Sequence, residues 1–125
     1  MVMPLKTVGI LEIPNAAGSA FDHGAFDPKT RRVFIAHTAR DCVEVIDHDV
    51  QRHMATLPGF PGAAGAVADD GEILVTNRGA ATLAWLDADT FETKAVFRRG
   101  PWRSRTRISL PIQMPPKWLF SGSSI

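Results

Sequence analysis

The side chains of this 125-residue chain that could do chemistry are few: four histidines, one cysteine, and the carboxylates and arginines set beside them. Asp22 and His23 are adjacent. A neutral imidazole is the commonest metal-binding side chain, and a neighbouring carboxylate can orient it or join it as a ligand. His37, Asn77 and Arg78 add a second imidazole, an amide and a guanidinium, all suited to holding a polar ligand. Asp47-His48-Asp49 has the composition of a metal site, although its aspartates read more simply as turn caps. The lone Cys42 forbids an internal disulfide and excludes a thiolate zinc site, and it reads as a small buried hydrophobe. His53 reads as a solvated edge residue.

Other chemistries lack their parts. There is no Gly-x-Ser-x-Gly elbow, and Gly18-Ser19-Ala20 near His23 is too short a match to define a nucleophile with its base. Gly62-Ala63-Ala64-Gly65 is not followed by the Lys and Ser/Thr of a phosphate loop. With 14 Lys and Arg against 13 Asp and Glu, a net charge of +1 gives no global reason to expect nucleic acid or an anionic membrane. No apolar run approaches the roughly 18 residues of a membrane helix. Hydrophobic residues at 45% and charged residues at 22% exclude disorder and coiled coil, and the length suits one small domain.

What must position these side chains is a repeat with a period of forty residues. Val33-Phe34-Ile35-Ala36-His37 returns as Ile73-Leu74-Val75-Thr76-Asn77, and Val43-Glu44-Val45-Ile46-Asp47 as Leu83-Ala84-Trp85-Leu86-Asp87. Upstream, Gly24-Ala25-Phe26-Asp27 is echoed by Gly65-Ala66-Val67-Ala68-Asp69, out of step by one residue. Each copy holds four short runs rich in β-branched and aromatic residues, separated by turn chemistry such as Asp27-Pro28 and Asp47-His48-Asp49. Ile73-Leu74-Val75 is apolar without alternation, as in a strand covered on both faces. Repeated four-stranded antiparallel units of this length predict β-propeller blades. Residues that recur at the forty-residue offset serve the blade, and those that do not are free for other work. His23, His37, Asn77 and Arg78 do not recur, and blade topology gathers them at one end of the stacked sheets.

These same residues carry a family resemblance. Gly24-Ala25-Phe26-Asp27-Pro28, Val33-Phe34-Ile35-Ala36-His37 and Val43-Glu44-Val45-Ile46-Asp47 resemble the YVTN family of β-propeller repeats, and Leu74-Val75-Thr76-Asn77 nearly repeats its name-giving tetrapeptide. The resemblance covers about residues 5–100. It implies blades stacked around a channel, with ligands and metals at the channel mouth. It thereby nominates His23, His37, Asn77 and Arg78 as ligand-binding residues, and Asp22 and His23 as metal ligands.

The expected fold is therefore all-β: a partial β-propeller of two four-stranded antiparallel blades (21–62 and 63–100), an N-terminal strand over 5–14 like the outer strand of a preceding blade, and an irregular, basic, Pro-rich tail (101–125). That tail holds Arg103, Arg105, Arg107 and Lys117 and no acid. Trp102 and Trp118 could stack on bases, but composition is the whole of that nucleic-acid signal. The period stops near residue 100, and the expectation is a truncated or frame-shifted reading frame, tested by translating the other two frames downstream. Two blades do not close a ring, so the first and last sheets should present wide apolar faces, leading to self-association or a protein partner. No signal peptide is read, and a cytoplasmic location is expected. The functional expectation is a ligand- or protein-binding scaffold. The alternative is a lactonase-like, metal-dependent hydrolase with calcium or zinc near His23; no cofactor is named by the residues themselves.

Overall fold

A computed structural model describes residues 4–98. The tail over 101–125, with its arginines and tryptophans, lies outside the described residues. Eight strands follow in order: β1 (Gly24–Asp27), β2 (Arg32–His37), β3 (Cys42–Asp47), β4 (Arg52–Pro58), β5 (Ala63–Asp69), β6 (Glu72–Asn77), β7 (Thr82–Asp87) and β8 (Thr93–Arg98), with a single 3-10 turn over Thr38–Arg40. They form two antiparallel sheets, ordered β1-β2-β3-β4 and β5-β6-β7-β8. The fold is all-β, two blades of a partial β-propeller, as the repeat predicts.

The turns have the chemistry expected of them. Asp47 Oδ1 accepts hydrogen bonds from the amides of Asp49 (2.9 Å) and Val50 (3.1 Å), and Asp87 Oδ1 repeats this with Asp89 (2.8 Å) and Thr90 (3.0 Å). Asp49 departs from the expectation. Its carboxylate accepts from Arg31 Nε at 2.7 Å instead of capping a turn, because the Asp47 carboxylate already satisfies the local amides. The slippage between the two inner strands also has a cause. Pro28–Arg31 joins β1 to β2, whereas β5 and β6 are joined by Asp70-Gly71 alone, both at positive φ (50° and 80°), as a tight type I′ hairpin requires. The inner strands are therefore out of step by two residues, and Ala66, not Gly65, stands where Gly24 does.

The core lies between the sheets. Phe34 and Ala36 of β2 and Val43 and Val45 of β3 pack against Ile73 and Val75 of β6 and Ala84 and Leu86 of β7. Polar links clamp the two blades. Asp27 Oδ1 accepts from the Gly71 amide at 3.0 Å, and Arg32 Nη1 donates to the carbonyls of Ala88 (2.7 Å) and Asp89 (2.8 Å). At the other end Thr38 Oγ1 donates to the Ala63 carbonyl at 2.6 Å, and the His23 amide donates to the Ala64 carbonyl at 3.0 Å. Gly62 (φ 60°) passes so close to Gly79 that a Cβ there would lie 2.5 Å from the Gly79 nitrogen.

Two expectations are corrected. Residues 5–14 form no strand, and Leu5, Val8 and Ile10 are exposed. A strand there needs a sheet edge to pair with, and no third sheet exists among the described residues to provide one. The first sheet's outer face is also not uniformly apolar. Strand alternation places Val33, Ile35 and Ile46 on it, but also His37, Cys42 and Glu44, and these three are buried. The second sheet's outer face carries Leu74, Leu83 and Phe97, which are buried beside Trp85 and Ala95, and also Glu72, which accepts from Trp85 Nε1 at 2.8 Å and Lys94 Nζ at 3.0 Å.

Candidate functional site

The nominated residues separate into two groups. At the mouth between the blades, Asp22 is held to β2 by its amide, which donates to the Ala36 carbonyl at 2.9 Å. Its carboxylate joins two residues: Oδ1 lies 2.7 Å from His23 Nδ1, and Oδ2 accepts from Arg78 Nη2 at 3.0 Å, across from the other blade. Topology does bring Asp22, His23 and Arg78 together. The His23 side chain is 82% exposed and that of Arg78 is also open to water. A cation bound at Asp22 would have to displace a guanidinium, which opposes the metal reading of Asp22 and His23.

Asn77, at the end of β6, is buried. Its Nδ2 donates to Thr82 Oγ1 at 3.2 Å, and its Oδ1 has no hydrogen-bond partner among the described residues. Buried acceptors of this kind are uncommon and await a donor from water or a ligand.

His37 belongs to the other group, built on the first sheet's outer face around Glu44. His37 pairs directly with Cys42 across β2 and β3, and Glu44 is two residues further along the same face. Glu44 is 1% exposed, and four side chains donate to it. Oε2 accepts from His37 Nδ1 (2.6 Å) and Cys42 Sγ (3.5 Å); Oε1 accepts from His53 Nε2 (2.8 Å) and Thr56 Oγ1 (2.5 Å). His53 reaches it through a β-bulge. Beyond the pair Val45↔Ala55 the register slips, so Ile46 faces His53 and Met54 is the extra residue, which turns His53 onto the outer face beside Thr56. His53 is thus 17% exposed and bonded, not the solvated edge residue expected from sequence.

The other ring nitrogen of His37, Nε2, lies 2.7 Å from Ser19 Oγ, and Phe21 stacks on the imidazole at 4.1 Å. With both nitrogens engaged and the ring 1% exposed, His37 has no free atom to offer at the mouth.

Electrostatics follow from this packing. Burial alone would raise the Glu44 carboxyl, but hydrogen bonds from Thr56, His37, His53 and Cys42 outweigh it and hold the group below its ordinary value. Burial, reinforced by the adjacent Glu44 charge, pushes the Cys42 thiol up to about 11. Asp27 resembles Glu44: burial raises it, and bonds from Thr30 and the Gly71 amide bring it below its usual range.

Chemically, Ser19, His37 and Glu44 stand in the order of hydroxyl, imidazole and orienting carboxylate, while His37, Cys42 and Glu44 present nitrogen, sulfur and oxygen donors within 4.8 Å of one another. Sequence reasoning missed Glu44, Ser19 and His53. The available signal was the repeat itself, since Glu44 stands where the second copy has Ala84.

The fold and its mouth define the class, a stack of β-propeller blades. No protein-family model and no curated protein matches the chain. Among solved structures it is similar to apo AztD from Citrobacter koseri, with a TM-score of 0.56 at 16% identity. The similarity covers 69% of this chain and 24% of that one, so this chain spans about a quarter of the structure it matches.

Proposed function

We propose that the chain is a binding scaffold of the YVTN-like propeller kind, contributing two blades to a larger ring and taking its ligand at the mouth where the blades meet. The observation that carries this reading is the Asp22–Arg78 pair. It joins residues from different blades and leaves the Arg78 guanidinium and the His23 ring facing water with no part in the core. Two cationic or proton-donating groups held by one carboxylate suit a ligand with an anionic group, such as a small carboxylate or an acidic peptide, and Asn77 Oδ1 adds an acceptor nearby in sequence for a donor on the same ligand. The lactonase-like hydrolase reading finds less support, since both oxygens of Asp22 are already engaged.

The test is a titration of the labelled chain with an acidic peptide and with simple dicarboxylates, followed by amide chemical shifts. Saturable shifts at Asp22, His23 and Arg78 that disappear in Arg78→Ala are expected. Absence of binding, or shifts confined to other residues, overturns the reading.

A further inference from the structure

Glu44 is an expensive residue to bury. Its counterpart Ala84 shows that the blade itself does not need a carboxylate there, and none of the four side chains donating to it is a Lys or Arg. Where the second copy has Asn77, Thr82 and Ala84, the first has His37, Cys42 and Glu44, and the bulge in β4 aims a second imidazole, His53, at the same carboxylate. A serine–histidine–carboxylate relay would account for Ser19, His37 and Glu44. It has no use for the buried thiol or the second imidazole.

We infer that His37 Nδ1, Cys42 Sγ and Glu44 Oε2, with His53 Nε2 completing the set, form a zinc-binding site on the outer face of the first blade. Two nitrogens, one sulfur and one oxygen are the donor types zinc takes in tetrahedral sites. His37, Cys42 and Glu44 lie on two hydrogen-bonded strands with their donor atoms within 4.8 Å of one another, so their spacing is set before the metal arrives. His53 on β4, bonded to the other Glu44 oxygen, closes the set by turning toward the ion. On binding, Cys42 loses its thiol proton to solvent, and both imidazoles bind through a lone pair in their neutral form. One thiolate and one carboxylate then balance the dication, and the buried site carries no net charge. This reverses the sequence expectation that a lone cysteine excludes a thiolate zinc site: one thiolate suffices where imidazoles and a carboxylate supply the other donors.

The surroundings fit as well. A ligating histidine usually gives its other ring N–H to an oxygen, and His37 Nε2 is 2.7 Å from Ser19 Oγ. Thr56 Oγ1 bonds the second oxygen of Glu44, orienting the carboxylate, and the partly exposed His53 marks the side from which solvent reaches the cluster.

The test uses the full chain, stripped with a chelator and titrated with zinc and with cobalt(II). One equivalent of metal is expected to bind, with cobalt giving a thiolate charge-transfer band and the intense visible bands of a tetrahedral ion. Cys42→Ser should abolish the charge-transfer band and weaken zinc by more than about 100-fold, Ser19→Ala by roughly 10-fold, the range of an outer-sphere partner. His23→Ala should leave both unchanged. Because Cys42→Ser is close to isosteric and Ser19 lies outside the strands, circular dichroism should show these variants folded. A folded wild type that binds no equivalent of metal overturns the inference. So does a charge-transfer band that survives Cys42→Ser, or a loss of binding in His23→Ala with retention in Cys42→Ser, which would put the metal at the mouth.

Discussion

Two carboxylates, Glu44 and Asp27, are buried and hydrogen-bonded, and both titrate below their ordinary range. A group whose folded-state pKa is depressed contributes stability above its unfolded value, near 4, and loses it as pH falls through the folded value. The urea midpoint is therefore expected to hold from neutrality down to about pH 4–5 and then to drop, and to drop less in Asp27→Asn. Glu44→Ala removes the common acceptor of four donors and is expected to cost about 3–5 kcal/mol at neutral pH, read by urea unfolding of metal-free protein, since donors are left buried without a partner. At this scale the sequence was only partly legible. Offset-forty comparison singled out His37 and Asn77. It passed over Glu44, whose place inside a Val-x-Val strand pattern hid a change of face, and over Ser19, whose partner is set by the path of an irregular segment.

Strands and turns follow local rules, and here the sequence was read well: the runs over 24–27, 33–37, 43–47, 65–69, 73–77 and 83–87 all form strands, within a residue or two of those bounds. What failed was what depends on a partner. Residues 5–14 have strand-like composition but no edge to join, and the side chain of His53 changes face because one residue, Met54, is extra in the pairing of β3 with β4. Deleting Met54 should remove the bulge and leave His53 opposite Ile46 on the outer face, so the His53 ring nitrogen shifts should still report its bond to Glu44. Gly62 is the other element-level constraint. In Gly62→Ala a left-handed backbone and a 2.5 Å approach to the Gly79 nitrogen act together, and a loss of about 1–3 kcal/mol in thermal or urea unfolding is expected.

Among the described residues, the larger core is shared between the sheets, and only a smaller cluster of Leu74, Leu83 and Phe97 belongs to the second blade alone. The two blades are expected to unfold together. Native-state hydrogen exchange should give β3 and β7 amides the same opening free energy, and Ile73→Ala, a change in the second blade, should lower both equally, by about 2–5 kcal/mol. The exposed Val67 and Val96 on the second blade bear on size. Light scattering is expected to show association that strengthens with concentration, and a strictly monomeric chain at high concentration would count against ring building by copies of itself. The polarity of the first blade's outer face was not legible from composition, because only the register of β2, β3 and β4 reveals that His37, Cys42, Glu44 and His53 share it.

The substitution of Glu44 for an alanine has a consequence for how such a chain can be rearranged. In the position between two blades, Ala84 belongs to the same buried core as Phe34 and Val45. Were the first blade duplicated in tandem, the second copy would drive a carboxylate and two imidazoles into that oily contact. The two modules are thus not interchangeable: their order along the polypeptide is written into one side of one sheet, and a shuffled gene would yield a chain whose halves repel each other's cores.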